Sequence, residues 1–120
     1  MHPDELDRLA DRLFTAFTDW DLDAVAAMMA PDAVVVQNGR RSSFDAFRVE
    51  LEAIRRLIGE HRYEDVRRVI GDHAVVEEHA VRATAPTGRE IDLKACVVIR
   101  FDETGLITSL DEYVDTAGLG

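Results

Sequence analysis

Only one cysteine, Cys96, occurs in the 120 residues, so no internal disulfide can form and no second thiol is at hand for a zinc site. Cys96 itself reads as a small apolar residue in a strand. Proline is also scarce, at 3 residues, and no linker, repeat or low-complexity tract interrupts the chain, which excludes disordered and fibrous architectures. No apolar run approaches the roughly 20 residues of a membrane-spanning helix. Positive charge is in short supply. Against 24 Asp and Glu stand 14 Lys and Arg, a formal net of -10, and such a surface repels phosphate backbones and anionic lipid. Neither nucleic acid nor membrane is expected as a partner. Glycine-rich phosphate loops, nucleophile elbows and zinc ribbons are missing too. The opening MHPDELDRLADRLF carries acids where a signal peptide needs a basic region and an apolar run, which predicts a cytoplasmic protein.

What remains, 47% hydrophobic and 32% charged residues, suits one domain with a genuine core, spanning residues 1–120. Leu6, Leu9, Leu13, Phe17 and Trp20 recur at spacings of three and four behind Pro3, Asp4 and Glu5, so residues 3–19 read as an amphipathic helix. Asp21 can cap a short second helix carrying Leu22, Val25, Ala26 and Met29, which Pro31 stops. The run Ala33 to Gln37 is β-branched and brief, and Asn38-Gly39 closes it with a turn. Ser42, with Asp45 three residues on, resembles a capping box for a third helix through Phe44, Phe47, Leu51, Ile54 and Ile58, ended by Gly59.

From Arg62 the period changes to two. Strands are predicted from Arg62 to Ile70, Ala74 to Thr84, Glu90 to Phe101 and Leu106 to Asp115, separated by turns at Gly71-Asp72, Pro86-Thr87-Gly88 and Asp102 to Gly105. They read as a meander. In the third of these, Ile91, Leu93, Ala95, Val97, Ile99 and Phe101 share the side that faces the helices. Helices followed by a run of long strands is an α+β order, with the helices on one face of a strongly curved, mostly antiparallel sheet.

The segments D-W-D-L-D-A-V-A-A-M-M-A-P-D-A-V-V-V and V-V-I-R-F-D-E-T-G-L-I-T-S-L-D-E-Y-V-D resemble the opening and closing signatures of the nuclear transport factor two-like superfamily, which includes SnoaL-like polyketide cyclases, steroid Δ-isomerases and limonene epoxide hydrolases. The resemblance covers essentially the whole chain. It implies a single SnoaL-like domain over residues 1–120, folded as a cone-shaped α+β barrel whose sheet wraps three N-terminal helices. It also implies a pocket for a small apolar molecule, with no cofactor and no metal. Function is less constrained, because sites are grafted on folds.

Carried over residue by residue, the steroid-isomerase base falls on Gln37 and its oxyanion donors on Leu13 and Val97, none of which can perform those roles. The epoxide-hydrolase acids and Arg fall on His79, Val81 and Asp115, of which only Asp115 is retained. The last-strand acid of SnoaL-like cyclases also coincides with Asp115. The resemblance therefore implies a general base at Asp115.

Strand parity supplies it with a partner. If odd-numbered residues of the Ala74 to Thr84 strand point inward, Glu77 and His79 stand in an apolar row with Val75, Val81 and Ala83. A carboxylate from Asp115 or Glu112 would then balance the imidazole, and Asp115 is the favoured of the two. The expected catalytic residues are Asp115 and His79. The expected ligand contacts are Gln37, Glu77, Tyr113, Val97, Leu13, Phe17 and Trp20. His79, Glu77 and Asp115 are also donors a zinc or hard cation takes, but an i, i+2 pair is too weak a signal to predict one. His2, His61 and His73 fall near the terminus or in turns and are expected to be exposed.

Two functions of different class follow, an acid/base isomerase, cyclase or hydrolase and a non-catalytic ligand-binding or accessory module. Asp115 bonded to His79 in an enclosed cavity points to the enzyme, and an exposed Asp115 points to the binder. A third reading has Trp20, Phe17, Phe47 and Met29 filling the cavity. The even-numbered face, with Val76, Ala80, Cys96 and Val98 among Glu78, Arg82, Lys94 and Arg100, is too apolar for open solvent and too charged for a core, and predicts a homodimer through the outer sheet face.

Overall fold

Pro3 in the first turn and the acids Asp4 and Glu5 near the positive end of the helix dipole start α1 (Pro3–Thr18), where His2 Nδ1 accepts the Asp4 N–H at 3.1 Å. The computed structural model describes residues 1–119, with side chains through 117. Leu6, Ala10, Leu13, Phe14 and Phe17 form the buried stripe of α1. The helix closes with the Asp21 N–H donating to the Ala16 carbonyl at 2.9 Å, which puts Trp20 in the left-handed region at φ 54. For a bulky side chain that conformation is uncommon. Its indole N–H donates to the Gly59 carbonyl at 3.0 Å, which helps hold it there.

Asp21 caps α2 (Leu22–Ala27) by accepting the Ala24 N–H at 3.1 Å. This helix stops short of Pro31, because the Ile107 N–H takes the Met28 carbonyl at 2.8 Å and Met29 already begins β1 (Met29–Gln37). Asn38 and Gly39, at φ 47 and 82, then turn the chain straight back into β2 (Arg40–Ser43). That strand was not anticipated, since Arg-Arg-Ser-Ser shows no apolar alternation. Because Ser42 is paired in β2 with Val35, the cap of α3 (Phe44–Ile58) falls to Ser43, whose Oγ accepts the Ala46 N–H at 3.2 Å. Gly59, at φ 61, ends α3.

The predicted meander is formed by β3 (His61–Ile70), β4 (Ala74–Thr84), β5 (Glu90–Phe101) and β6 (Ile107–Val114), followed by a 3₁₀ turn at Thr116–Leu119. The sheet runs β2-β1-β6-β5-β4-β3, antiparallel except where β1 lies parallel to β6. It is strongly curved, carries the helices on its concave side and stays open between the edges β2 and β3. This is the α+β cone that the order of elements predicts. Among the described residues no helix is long and apolar enough to cross a membrane.

Two details of register position the site. Ile99, Val97 and Ala95 of β5 pair with Leu110, Glu112 and Val114 of β6, so odd numbers on β5 share the concave face with even numbers on β6. In β3, Glu64 pairs with Ala80 and Arg67 with Glu78, so one residue is extra, and Asp65 there takes φ 55. The bulge lets both Tyr63 and Arg68, five apart, face inward.

Leu13, expected at the ligand, is 0% exposed and belongs to the core beneath α1. Leu13→Ala should therefore destabilise the protein by about 3 kcal/mol in urea unfolding with an unchanged slope, the range for a buried Leu whose site cannot collapse. A loss below about 1 kcal/mol would mean that the side chain borders open space instead.

Candidate functional site

Between the helices and the concave sheet lies a partly open cavity of about 820 Å³, within the size range of small-molecule sites. Its wall is mostly apolar: Phe14, Phe17 and Trp20 on one side, Phe47, Leu51, Ile54 and Ile58 of α3 on another, and Val35, Ile91, Leu93, Ala95, Val97 and Leu110 from the sheet. Phe17, Trp20 and Phe47 thus border the space rather than fill it, and Met29 packs in the core.

One row of the concave face crosses five strands: Arg68 of β3 pairs with Glu77 of β4, Glu77 with Val97 of β5, Val97 with Glu112 of β6, and Glu112 with Gln37 of β1. At one end of the row Glu77 is 1% exposed and bonded on both oxygens, by Arg68 Nε at 2.6 Å and by His79 Nδ1 at 2.6 Å. Arg68 continues to α1, where Nη1 donates to Asp11 at 2.6 Å and to the Asp7 carboxylate at 2.9 Å. Burial opposes the charge on Arg68, but the bonds to Glu77, Asp7 and Asp11 outweigh it and hold the guanidinium protonated. Because the Glu77 carboxylate accepts, Nδ1 of His79 carries a proton, and the ring presents its other edge to the cavity it lines.

At the other end Glu112 lines the cavity beside Gln37, its partner in the β1–β6 ladder. Burial raises its pKa above the ordinary 4.5, partly offset by Gln37 and by the nearby His79. Tyr63 also lines the cavity, and its hydroxyl makes no hydrogen bond with another described residue. Burial, with the charges of Glu112 and Glu77, raises its pKa and keeps it a proton donor. Trp20, His61, Tyr63 and His79 form a ladder of ring contacts at 5.0, 5.1 and 4.5 Å between centroids. Burial lowers the pKa of His61, an effect opposed by the Gly59 carbonyl and reinforced by His79, which leaves His61 neutral.

Of the residues expected at a ligand, Gln37, Val97, Phe17, Trp20 and His79 line the cavity. Glu77 stands behind His79, and Leu13 lies in the core. Asp115 and Tyr113 do not reach the site. Tyr113 is 54% exposed, and Asp115, past the end of β6, is exposed and accepts the Ala117 N–H at 3.0 Å. The reason is register: Leu110 and Val114 face inward on β6, so the residue between them that shares their side is Glu112. That pattern was readable in Leu-Asp-Glu-Tyr-Val. His61, expected in an exposed turn, instead opens β3 and is buried. Tyr63 is hidden from the sequence because the bulge at Asp65 breaks the parity of β3, and His61 because the strand begins one residue before the predicted Arg62. His79 and Glu77 adjoin, but Asp115 does not complete a metal set with them, and among the described residues no three His, Cys, Asp or Glu side chains could hold an ion.

The model of the SnoaL-like domain matches residues 10–110. The chain belongs to the SnoaL-like family. Solved structures agree in fold: AclR from Streptomyces galilaeus, described as a candidate hydroxylase, superposes with a TM-score of 0.89 at 18% identity over 98% of this chain and 94% of that one. A candidate polyketide cyclase from Xanthomonas campestris gives 0.82 at 21% identity over 93% and 91%. A protein of unknown function from Burkholderia pseudomallei, described as nuclear transport factor two-like, gives 0.80 at 23% over 96% and 94%. Such identities establish the fold alone. No curated protein matches the sequence.

In this SnoaL-like domain the raised pKa of Glu112 has a consequence for stability. An acid whose folded pKa lies above its unfolded value holds its proton more tightly when folded, so stability is full below the ordinary value of 4.5 and falls as pH rises through the folded value. Glu112→Gln removes that loss. Its melting temperature should exceed that of the wild type at pH 7 by a few degrees, with the gap closing below pH 4.5. A gap that persists at low pH would assign the effect to packing.

Proposed function

We propose that this SnoaL-like protein is an acid/base enzyme that acts on a small, mostly apolar carbonyl compound held in the cavity. The observation that carries the reading is the meeting of Glu112, Tyr63 and His79 in one apolar wall. Glu112, as the carboxylate, takes a proton from the carbon next to the carbonyl. The C–H electrons move into the new carbon–carbon double bond, the carbonyl electrons move onto oxygen, and the Tyr63 hydroxyl donates a hydrogen bond to the enolate formed. Glu112 can return its proton at another carbon, which isomerises the compound, or the enolate carbon can attack a second carbonyl and close a ring, the π electrons of that carbonyl moving to its oxygen, which takes the proton back from Glu112. His79, with Nδ1 engaged by Glu77, offers Nε2 as a hydrogen-bond partner to a substrate hydroxyl.

Exchange of α-protons in deuterium oxide, followed by proton NMR on 2-tetralone, tests this. Wild type should accelerate exchange, and Glu112→Gln should lose roughly 10² to 10⁴ of that rate while still binding the ketone. Equal exchange by wild type and Glu112→Gln would overturn the reading. It would favour a second one, a module that only holds its ligand, which the exposure of Asp115 supports because the base implied by the resemblance is not in the pocket.

The outer sheet face supports a further expectation, a homodimer. Val76, Cys96 and Val98 are half-buried there beside the exposed Tyr113, and the charges around them pair locally, Arg67 with Glu78, Lys94 with Asp92 and Arg100 with Asp111. On a chain of net charge -10 this is a face that a second copy can approach without strong repulsion. Sedimentation equilibrium at micromolar concentration should give twice the chain mass. The mass of one chain would rule the dimer out.

A further inference from the structure

Beside Glu112 the cavity is lined by polar side chains, Gln37, Arg40 and Glu50. In the β1–β2 hairpin Arg40 pairs with Gln37, and in the β1–β6 ladder Gln37 pairs with Glu112, so the three lie side by side across β2, β1 and β6. Arg40 is held from α3 by Glu50, with Nη1 at 2.8 Å from one carboxylate oxygen and Nη2 at 3.0 Å from the other. Its Nη2 also stands 3.5 Å from Gln37 Oε1.

We propose that Arg40 is a positioning residue for Glu112 and acts through the side-chain amide of Gln37. The proposal rests on the reading of Glu112 as the proton-accepting group. A guanidinium has donors only, so beside Arg40 the amide must turn its oxygen toward the arginine and its nitrogen toward Glu112. An N–H donor meets a carboxylate. A flipped amide would present its carbonyl oxygen, which only a protonated carboxyl can meet. Arg40 thereby selects the form of Glu112 that can take up a proton, and Glu50 ties that selection to α3, the helix that forms one wall of the cavity.

The other ionisable groups that share the cavity with Glu112 are His79 on β4, Tyr63 on β3 and Arg89 in the turn before β5. The flanking β5 offers Val97, and α1 offers Phe14 and Phe17, none of which titrates. Arg40 has 66% of its side chain exposed, so its through-space charge is screened by solvent and its substitution leaves the fold intact.

The test is the titration of the Glu112 side-chain carboxyl by carbon-13 NMR, its signal assigned by its loss in Glu112→Gln. Arg40→Met should move the midpoint up by roughly one pH unit, and Arg40→Lys, which keeps a donor-only cation, by much less. In a Gln37→Leu background Arg40→Met should shift it by less than a third as much, because the amide that carries the effect is gone. An equal shift in that background would show that the charge of Arg40 acts directly, and an unmoved midpoint in Arg40→Met would show that it does not act. Either overturns the proposal. A failure of the proton-transfer reading registers separately, as undiminished exchange in Glu112→Gln.

Discussion

A carboxylate at 1% exposure inside an apolar wall must have its charge met, and the way Glu77 is met organises much of this fold. One oxygen faces His79, which shares its strand, and the other requires a cation from β3. Arg68 supplies it only because the bulge at Asp65 turns that side chain inward. Arg68 is in turn shared with Asp7 and Asp11, one turn apart on α1, so the same cation pins the helix against the edge of the sheet. The docking of α1 presents Phe14 and Phe17 to the cavity, with Phe14 edge-on to Tyr63 and His79 at 5.3 and 5.2 Å. A buried pair of this kind adds little net stability, but losing one partner is expensive, so it acts mainly to specify register.

The cavity persists because α3 does not close on the sheet. Of its apolar residues only Phe47 is fully buried; Leu51, Ile54 and Ile58 are half-buried against the open space, and Leu57 is exposed. The helix is anchored near its start by Phe47 and at its end by the Trp20 indole on the Gly59 carbonyl, with Arg55 5.7 Å from the Trp20 ring. Between these anchors its apolar side faces void, an arrangement that forfeits dispersion contacts unless something else supplies them. A strained Trp20 at φ 54, an unclosed helix and a Tyr63 hydroxyl that bonds no other described residue all border the same space, a clustering of unfavourable local choices of the kind that marks functional sites.

The long strands were legible in the sequence because their signals are repetitive. β4 carries five inward positions and β5 six, and a period of two sustained that long admits one register. β2 was not legible, being four polar residues whose only reason to pair is the Asn38-Gly39 turn before them. Nor was the bulge, since Asp65 is a residue that tolerates positive φ but does not require it. Of these only the bulge bears on the site, through Tyr63. The resemblance points to Asp115, whereas the apolar Leu110 and Val114 mark Glu112 as the inward carboxylate of β6.

Two carboxylates stand in the same row, two strands and so roughly 10 Å apart, yet their surroundings sort them into different work. Glu77 has both oxygens engaged by Arg68 and His79 and is no part of the cavity wall, so it holds a ring in place and has no lone pair to spare for a substrate. Glu112 has an amide for its partner in place of a cation, and it borders the cavity with its affinity for a proton enhanced by burial. Val97 between them gives a small apolar gap across which neither can bond the other. A row that is charge-compensated at one end and only dipole-compensated at the other separates the group that supports the wall from the group free to exchange a proton, and this asymmetry, more than any single residue type, is why the proposed reaction is assigned to Glu112.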